Sequence, residues 1–171
     1  MKSLIHLQEL FFFYLSQLYV AEKLLPEKLE RGIEMASSHS LKKEINEYIQ
    51  GCRQKSSQLD VLYFRLHLKP FTAEDRVLNS IIEESNELEN SAYFDHLKDA
   101  VILTSLQTIN NYKIGKYRTT FAIAYQLRLD QALPILSMLQ TMEETSREIL
   151  RWLADKQLLK EAYEVNILKY D

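Results

Sequence analysis

Residues 7–25 read Leu7-Gln8-Glu9-Leu10-Phe11-Phe12-Phe13-Tyr14-Leu15-Ser16-Gln17-Leu18-Tyr19-Val20-Ala21-Glu22-Lys23-Leu24-Leu25. Within this stretch Leu7, Phe11, Tyr14, Leu18, Ala21 and Leu25 recur in alternating steps of four and three, the period that lines one side of an α-helix. Carried back to Leu4 and on to Met35, the pattern predicts one long first helix. Pro26 lies inside it, removes a backbone hydrogen bond and is expected to bend the axis. Ser37, Ser38 and Ser40 make the break that follows, with Ser40 placed to cap the next helix.

The rest of the chain repeats the pattern. Leu41, Ile45, Tyr48, Cys52, Lys55, Leu59, Leu62 and Leu66 give a second helix, Leu41 to about Leu68, with one charge on its apolar side. Lys69-Pro70-Phe71-Thr72 ends it. A shorter helix is expected from Thr72 or Ala73 to Glu89, with Val77, Leu78, Ile81 and Ile82 turned inward. Another long helix runs from about Tyr93 to Leu127 through Leu103, Leu106, Asn110, Lys113, Tyr117 and Phe121. Gly115 sits inside it, where glycine costs roughly 1 kcal/mol relative to alanine, so close packing is expected there. The last long helix, about Gln131 to Leu159, turns Leu136, Leu139, Glu143, Ser146, Leu150 and Leu153 to one face. Beyond Lys160 a tail frays or folds back through Tyr163 and Ile167. Four long amphipathic helices and one short one bury their apolar sides together as an antiparallel bundle. The expected architecture is all-α, a single domain over 1–171, with the bundle at about 4–159 and the tail at 160–171.

Composition supports this reading. The chain has 171 residues, 46% of them hydrophobic, with only 3 Gly and 3 Pro. So few turn formers argue against a sheet protein of this length. A net charge of -3 argues against a chain built to coat nucleic acid. The charge is uneven: eight acids from Glu74 to Asp99 face only Arg76 and Lys98, whereas Lys113, Lys116, Arg118 and Arg128 lie in an acid-free span from Asn111 to Leu129. Either the two blocks neutralise each other or each is a solvated face. Cys52 is the only cysteine, which excludes an intrachain disulfide and fits a reducing cytoplasm. No signal peptide and no membrane-spanning run is read.

Several fragments in order resemble the YciE/YciF-like (DUF892) family of ferritin-like bacterial proteins, over nearly the whole chain. Leu18-Tyr19-Val20-Ala21-Glu22-Lys23 is similar to the family's Tyr-x-Ala-Glu-Lys core. Ser80-Ile81-Ile82-Glu83-Glu84-Ser85 is similar to its Gly-Leu-Ile-Glu-Glu-Gly segment. Met35-Ala36-Ser37-Ser38, Leu41-Lys42, Asp99-Ala100-Val101-Ile102 and Gln107 fit the stretches between. The family's Glu-His-Tyr-Glu-Ile-Ala-x-Tyr-Gly reads here Asn110-Asn111-Tyr112-Lys113-Ile114-Gly115-Lys116-Tyr117-Arg118. Its aromatic frame survives, but both carboxylates and the histidine are gone. The usual Thr-x-x-His reads Cys52-Arg53-Gln54-Lys55, and Glu143-Glu144-Thr145-Ser146-Arg147-Glu148 is similar to the family's final Glu-Glu-Lys-x-x-Asp. The resemblance implies a ferritin-like bundle, dimers, a link to stress, and a di-metal site that this chain has lost.

The residues themselves bear on that loss. A di-iron or di-manganese bundle needs about six inward ligands, two of them Glu-x-x-His pairs. This chain has no Glu-x-x-His, and His6, His39, His67 and His96 fall near helix ends. Glu22 and Glu143 lie on inward stripes; Lys55, Asn110 and Lys113 share their height. A buried Glu or Lys without a partner is expensive. Three readings stay open. Glu22 and Glu143 pair with Lys55 and Lys113 in a vestigial polar core beside Asn110 and Glu144; helix rotation carries these groups to the surface; or Glu22, Glu143 and Glu144 hold one metal.

Other chemistries lack their residues: there is no Gly-rich phosphate loop, no Gly-x-Ser-x-Gly and no Cys-x-x-Cys. Cys52 reads as a small buried residue, and Glu83, Glu84 and Glu87 as a wet face. The run Phe11-Phe12-Phe13-Tyr14 cannot all face one core. Phe12, with Leu15 and Tyr19 nearby, is a candidate dimer contact; packing by the short helix or tail, or a ligand groove, are the alternatives. The leading function is a non-catalytic structural or interaction protein of the cytoplasm, without cofactor and tied to stress as the resemblance implies. The runner-up is an oxidoreductase or metal store using iron or manganese. Nucleic-acid binding requires Lys113, Lys116 and Arg118 together on one outer patch.

Overall fold

The computed structural model describes residues 5–71 and 73–167. Six α-helices follow one another: α1 Leu7–Met35, α2 His39–Arg65, α3 Arg76–Ser91, α4 Asp95–Gln126, α5 Leu133–Leu153 and α6 Leu159–Ile167. A π-helical turn, Ala154–Leu158, joins the last two. Among the described residues there is no strand.

Four helices form the bundle in cyclic order α1, α2, α5, α4, each packed on its two neighbours. Short turns make α1 and α2 antiparallel, and likewise α4 and α5. The connection 66–75 and α3 together form the crossover that sets α2 and α4 running the same way. The start of α4 accordingly lies beside the α1–α2 turn, where the Asp99 carboxylate accepts hydrogen bonds from the Ser37 and Ser38 amides at 2.7 and 2.9 Å. Helix α3 packs along α4, and its Leu78, Ile81 and Ile82 join the core. The short helix thus turns Leu78, Ile81 and Ile82 inward as its sequence dictates, but Val77, expected inward with them, is exposed, because it lies about 100° around the helix from Leu78.

The core is two apolar clusters stacked along the bundle axis. One holds Leu25, Leu41, Ile45, Leu78, Leu103, Leu106, Leu150 and Leu158. The other holds Phe11, Leu15, Leu18, Leu59, Leu62, Tyr117, Leu136 and Leu139. Glu22, Lys55, Lys113 and Glu143 come at the sequence positions where each helix passes from one cluster to the other.

Several boundaries differ from the sequence reading, each for a local reason. The expected starts at Leu4 and Thr72 lie outside the described residues, as does the end of the tail past Ile167. Ser38, not Ser40, caps α2: its backbone is extended and its hydroxyl accepts from the Leu41 amide at 3.4 Å. Asp75 caps α3 in the same way through Leu78, which moves the helix start to Arg76. Pro26 lies within an uninterrupted α1. The last helix is not continuous. Ala154, Leu158 and Ala162 are all buried but recur every four residues, a step that drifts about 40° around an α-helix. The wider π turn takes up that drift. Gly115 is not closely packed: a side-chain carbon there would meet nothing within 4 Å.

With only three glycines, the chain ends two helices without one. His67 and Arg128 follow α2 and α4 with φ of 53° and 54°. The amides of Leu68 and Leu129 then reach back to Tyr63 and Ala124 carbonyls at 3.0 Å, closing the helix ends. A residue with a Cβ is strained in this left-handed region. Arg128→Gly is therefore expected to stabilise the protein by about 0.5–1 kcal/mol, read as a higher urea midpoint at unchanged slope.

Candidate functional site

Each helix of the bundle places one charge in the dry centre. Glu22 comes from α1, Lys55 from α2, Glu143 from α5 and Lys113 from α4, and all four are buried. Because the helices are arranged in that cyclic order, the charges alternate in sign around a ring. Lys113 Nζ lies 2.9 Å from the Glu22 carboxylate and 2.8 Å from Glu143 Oε1. Lys55 is paired with Glu143 and stands 3.9 Å from Glu22 Oε2. Every charge thus has two opposite neighbours, and the ring as a whole is neutral.

Three further side chains complete it. Tyr117 donates to Glu22 Oε1 at 2.8 Å. Tyr48 donates to Glu143 Oε2 at 3.1 Å, and its ring lies about 5 Å from both ammonium groups. Asn110 donates to Glu143 Oε2 at 2.6 Å and to the Glu143 carbonyl at 3.1 Å. The spacing explains the convergence: Tyr48, Cys52 and Lys55 lie on one side of α2, and Asn110, Lys113 and Tyr117 on one side of α4.

The electrostatics follow from burial and pairing. Burial disfavours the Glu143 charge, but Lys113 and Lys55 outweigh it and hold the carboxyl down at about 2. Burial likewise opposes the Lys113 charge, yet the anionic groups around it lift its pKa well above the usual lysine value. Burial pushes the Cys52 thiol up to about 12, so it stays protonated at neutral pH, 3.7 Å from Lys113 Nζ. It is a buried neighbour of the ring with no access to thiolate chemistry.

This donor set does not fit iron or manganese. The two ammonium groups sit between the carboxylates that a cation would need, and a protonated lysine offers no lone pair. Glu144 is not in the ring. It turns outward to Arg118, 2.7 Å away, because it follows Glu143 by one residue and so lies about 100° around α5. The three-carboxylate site of Glu22, Glu143 and Glu144 therefore has no third ligand. Among the described residues no group of three His, Cys, Asp or Glu side chains is placed to share a metal ion.

The remaining candidates separate. Leu15 is fully buried in the second cluster and presents nothing to a partner; its position four residues after Phe11 puts it on the core side. Phe12 and Tyr19 are half-buried. Tyr19 donates to Asp60 at 2.6 Å and stacks edge-on against Tyr63. The outer side of α1 is covered in part by the 66–75 connection, whose Phe71 and Glu74 carbonyls accept from Ser16 and Gln17. Lys113, Lys116 and Arg118 do not form one outer patch. Lys113 is in the ring, Lys116 pairs with Asp75 at 3.3 Å and Arg118 pairs with Glu144. The acidic and basic blocks thus meet at Lys116 and Asp75, while Glu83, Glu84 and Glu87 face solvent. Sequence reasoning gave no role to Tyr48 or Tyr117. Their signal was position: each is one or two turns from a buried lysine on the same helix side.

An antiparallel bundle with a long crossover and an ion-paired centre defines a ferritin-like protein whose central groups are ammonium and carboxylate rather than metal ligands. The chain belongs to the family described as a domain of unknown function, DUF892, whose model matches residues 6–163. It is 26% identical over 139 residues to Protein YciF of Escherichia coli K12, covering 81% of this chain and 82% of that one. Its fold is similar to that of YcfI from Rhodopseudomonas palustris, a candidate structural protein (TM-score 0.85, 22% identity, 88% of this chain and 96% of the other). It is similar also to the crystal structure of the E. coli stress protein YciF (TM-score 0.81, 21% identity, 90% and 100%). Among the described residues no helix is long and apolar enough to cross a membrane.

Two predictions come from the ring. Lys55→Met or Glu143→Gln alone leaves an uncompensated buried charge and is expected to cost about 3–5 kcal/mol. Lys55→Met with Glu143→Gln restores neutrality and should cost less than the two single changes together, as a double-mutant cycle of urea unfolding measures. Glu143 also sets an acid limit. Its ordinary value is 4.5 and its folded value about 2, so its stabilisation is complete above about 4.5 and fades as pH falls towards about 2. Across that window the Glu143→Gln protein is expected to lose stability less steeply than the parent.

Proposed function

We propose that this protein is a non-catalytic, ferritin-like structural or interaction protein of the cytoplasm, working within a stress response. The observation that carries this reading is the pair of lysine ammonium groups between Glu22 and Glu143. They supply the positive charge that a metal pair supplies in a catalytic bundle, and ammonium has no redox chemistry to offer. The description of E. coli YciF as a stress protein, and of its R. palustris relative as a candidate structural protein, supports the same direction. The lone buried cysteine suits a reducing compartment. A second copy of the chain is the partner favoured, seated over the half-buried Phe12 and Tyr19.

Metal analysis is the test. Protein purified without chelator is expected to carry iron and manganese far below one atom per chain, and added Fe²⁺ should leave its melting temperature unchanged. Near-stoichiometric metal, or a melting temperature that rises with Fe²⁺, overturns the reading. Light scattering over a wide concentration range tests the dimer, and a monomer at the highest concentration rejects it.

A further inference from the structure

A second constellation lies outside the bundle, where α1 and α4 meet the start of α3. It is a cleft of about 720 Å³, within the size range of small-molecule sites. Phe13, Tyr14, Val77 and Tyr112 supply its apolar walls, while Gln17, Asp75 and Lys116 supply polar groups and Glu74 and Arg76 complete the lining. The cleft lies where the connection from α2 is held on α1 by the Gln17 side chain, which donates to the Glu74 carbonyl, and passes into α3 beside α4.

The polar groups show which ligand chemistry fits. Asp75 is almost fully buried and its acceptors are taken. Oδ1 receives the Leu78 amide and the Tyr112 hydroxyl, and Oδ2 receives Tyr112 and the Lys116 ammonium. Lys116 differs. Its ammonium has three protons and, among the described residues, two oxygen acceptors, Asp75 and the Gln17 side-chain oxygen. One proton is left for the cleft. The ammonium lies 5.1 Å from the Tyr14 ring centre and 5.2 Å from that of Tyr112. Burial draws its pKa below the usual lysine value while Asp75 opposes this. The cleft therefore offers a spare charged donor, no spare buried carboxylate, and aromatic walls within reach. An acid can satisfy the donor, and a planar ring can stack on the walls. Arg76, paired with Glu74 at 3.1 Å, stands exposed beside the opening.

We propose that this cleft is a binding site for a small planar aromatic acid, with the ring held against Phe13, Tyr14 and Val77 and the carboxylate on Lys116. This site is independent of the charge ring and does not rest on the structural role proposed above. It gives the protein a ligand of its own, bound on the outer face of α1.

Salicylate is the probe, titrated into the ¹⁵N-labelled full chain and followed by amide chemical shifts. Saturable shifts are expected in 13–17, 74–77 and 112–116. Benzylamine, with a similar ring and the opposite charge, is expected to give none there. Lys116→Met should weaken salicylate binding about tenfold or more, as loss of a charge-assisted hydrogen bond does. Val77→Trp narrows the cleft from its exposed rim without touching the polar floor. It should abolish the shifts even if Lys116→Met fails to fold. No saturable shift, shifts centred elsewhere, benzylamine binding as tightly as salicylate, or Val77→Trp binding like the parent would each overturn the proposal.

Discussion

Four charges alternate in sign in the dry middle of four helices, and the fold is arranged around them. An isolated ammonium or carboxylate in this setting is costly by many kcal/mol. The alternation of Glu22, Lys55, Glu143 and Lys113 removes most of that cost, because each group meets two opposite charges and the remaining acceptors meet hydroxyl or amide protons. The arrangement works only if all four helices present the right side at the same height. A rotation of any one helix, or a slide by one turn, leaves a buried charge without its partner. The ring thus constrains helix register more sharply than the leucines above and below it, which tolerate exchange of one apolar contact for another. Desolvation and attraction nearly cancel in such clusters, so its contribution is best read as a constraint on register rather than as added stability.

The same ring separates this chain from catalytic bundles of its architecture. In those, positive charge at the centre comes from metal ions held by carboxylates and imidazoles. Here it is covalently attached to α2 and α4, which removes the open coordination positions where substrates bind. Tyr48, Cys52 and Tyr117 surround the ring but are held protonated by burial. They contribute hydrogen bonds and volume. The centre of the molecule is buried, while α1 turns Phe13 and Tyr14 away from it towards the outer cleft.

The helical fold was legible because its signal is local and repeated. The three-and-four spacing in α1, α2 and α5 survives any uncertainty in caps, and the same spacing placed Glu22, Lys55, Asn110, Lys113 and Glu143 on inward sides. What was read less well depends on single hydrogen bonds or on neighbours distant in sequence. The choice of Ser38 over Ser40 as a cap rests on one hydroxyl. The π turn at 154–158 answers to where Leu158 and Ala162 must point, which α5 alone does not specify. Leu15 was placed with Phe12, and Glu144 with Glu143, although three residues along a helix leave about 60° between side chains and one residue about 100°.

The sequence by itself determined that this is a bundle of long helices carrying a few charges on apolar sides, because periodicity and composition are properties of the chain before it folds. The resemblance to the family's motifs implied equally that lysine and asparagine stand where acid and histidine are usual. Only the tertiary structure decided that those charges form a closed alternating ring, that Tyr48 and Tyr117 belong to it, and that Asp75 and Lys116 meet beside a cleft. Those outcomes depend on the cyclic order of the helices and on the crossover between α2 and α4. Both are set by packing between segments far apart in the chain, and no local pattern of residues encodes the distance between two such segments.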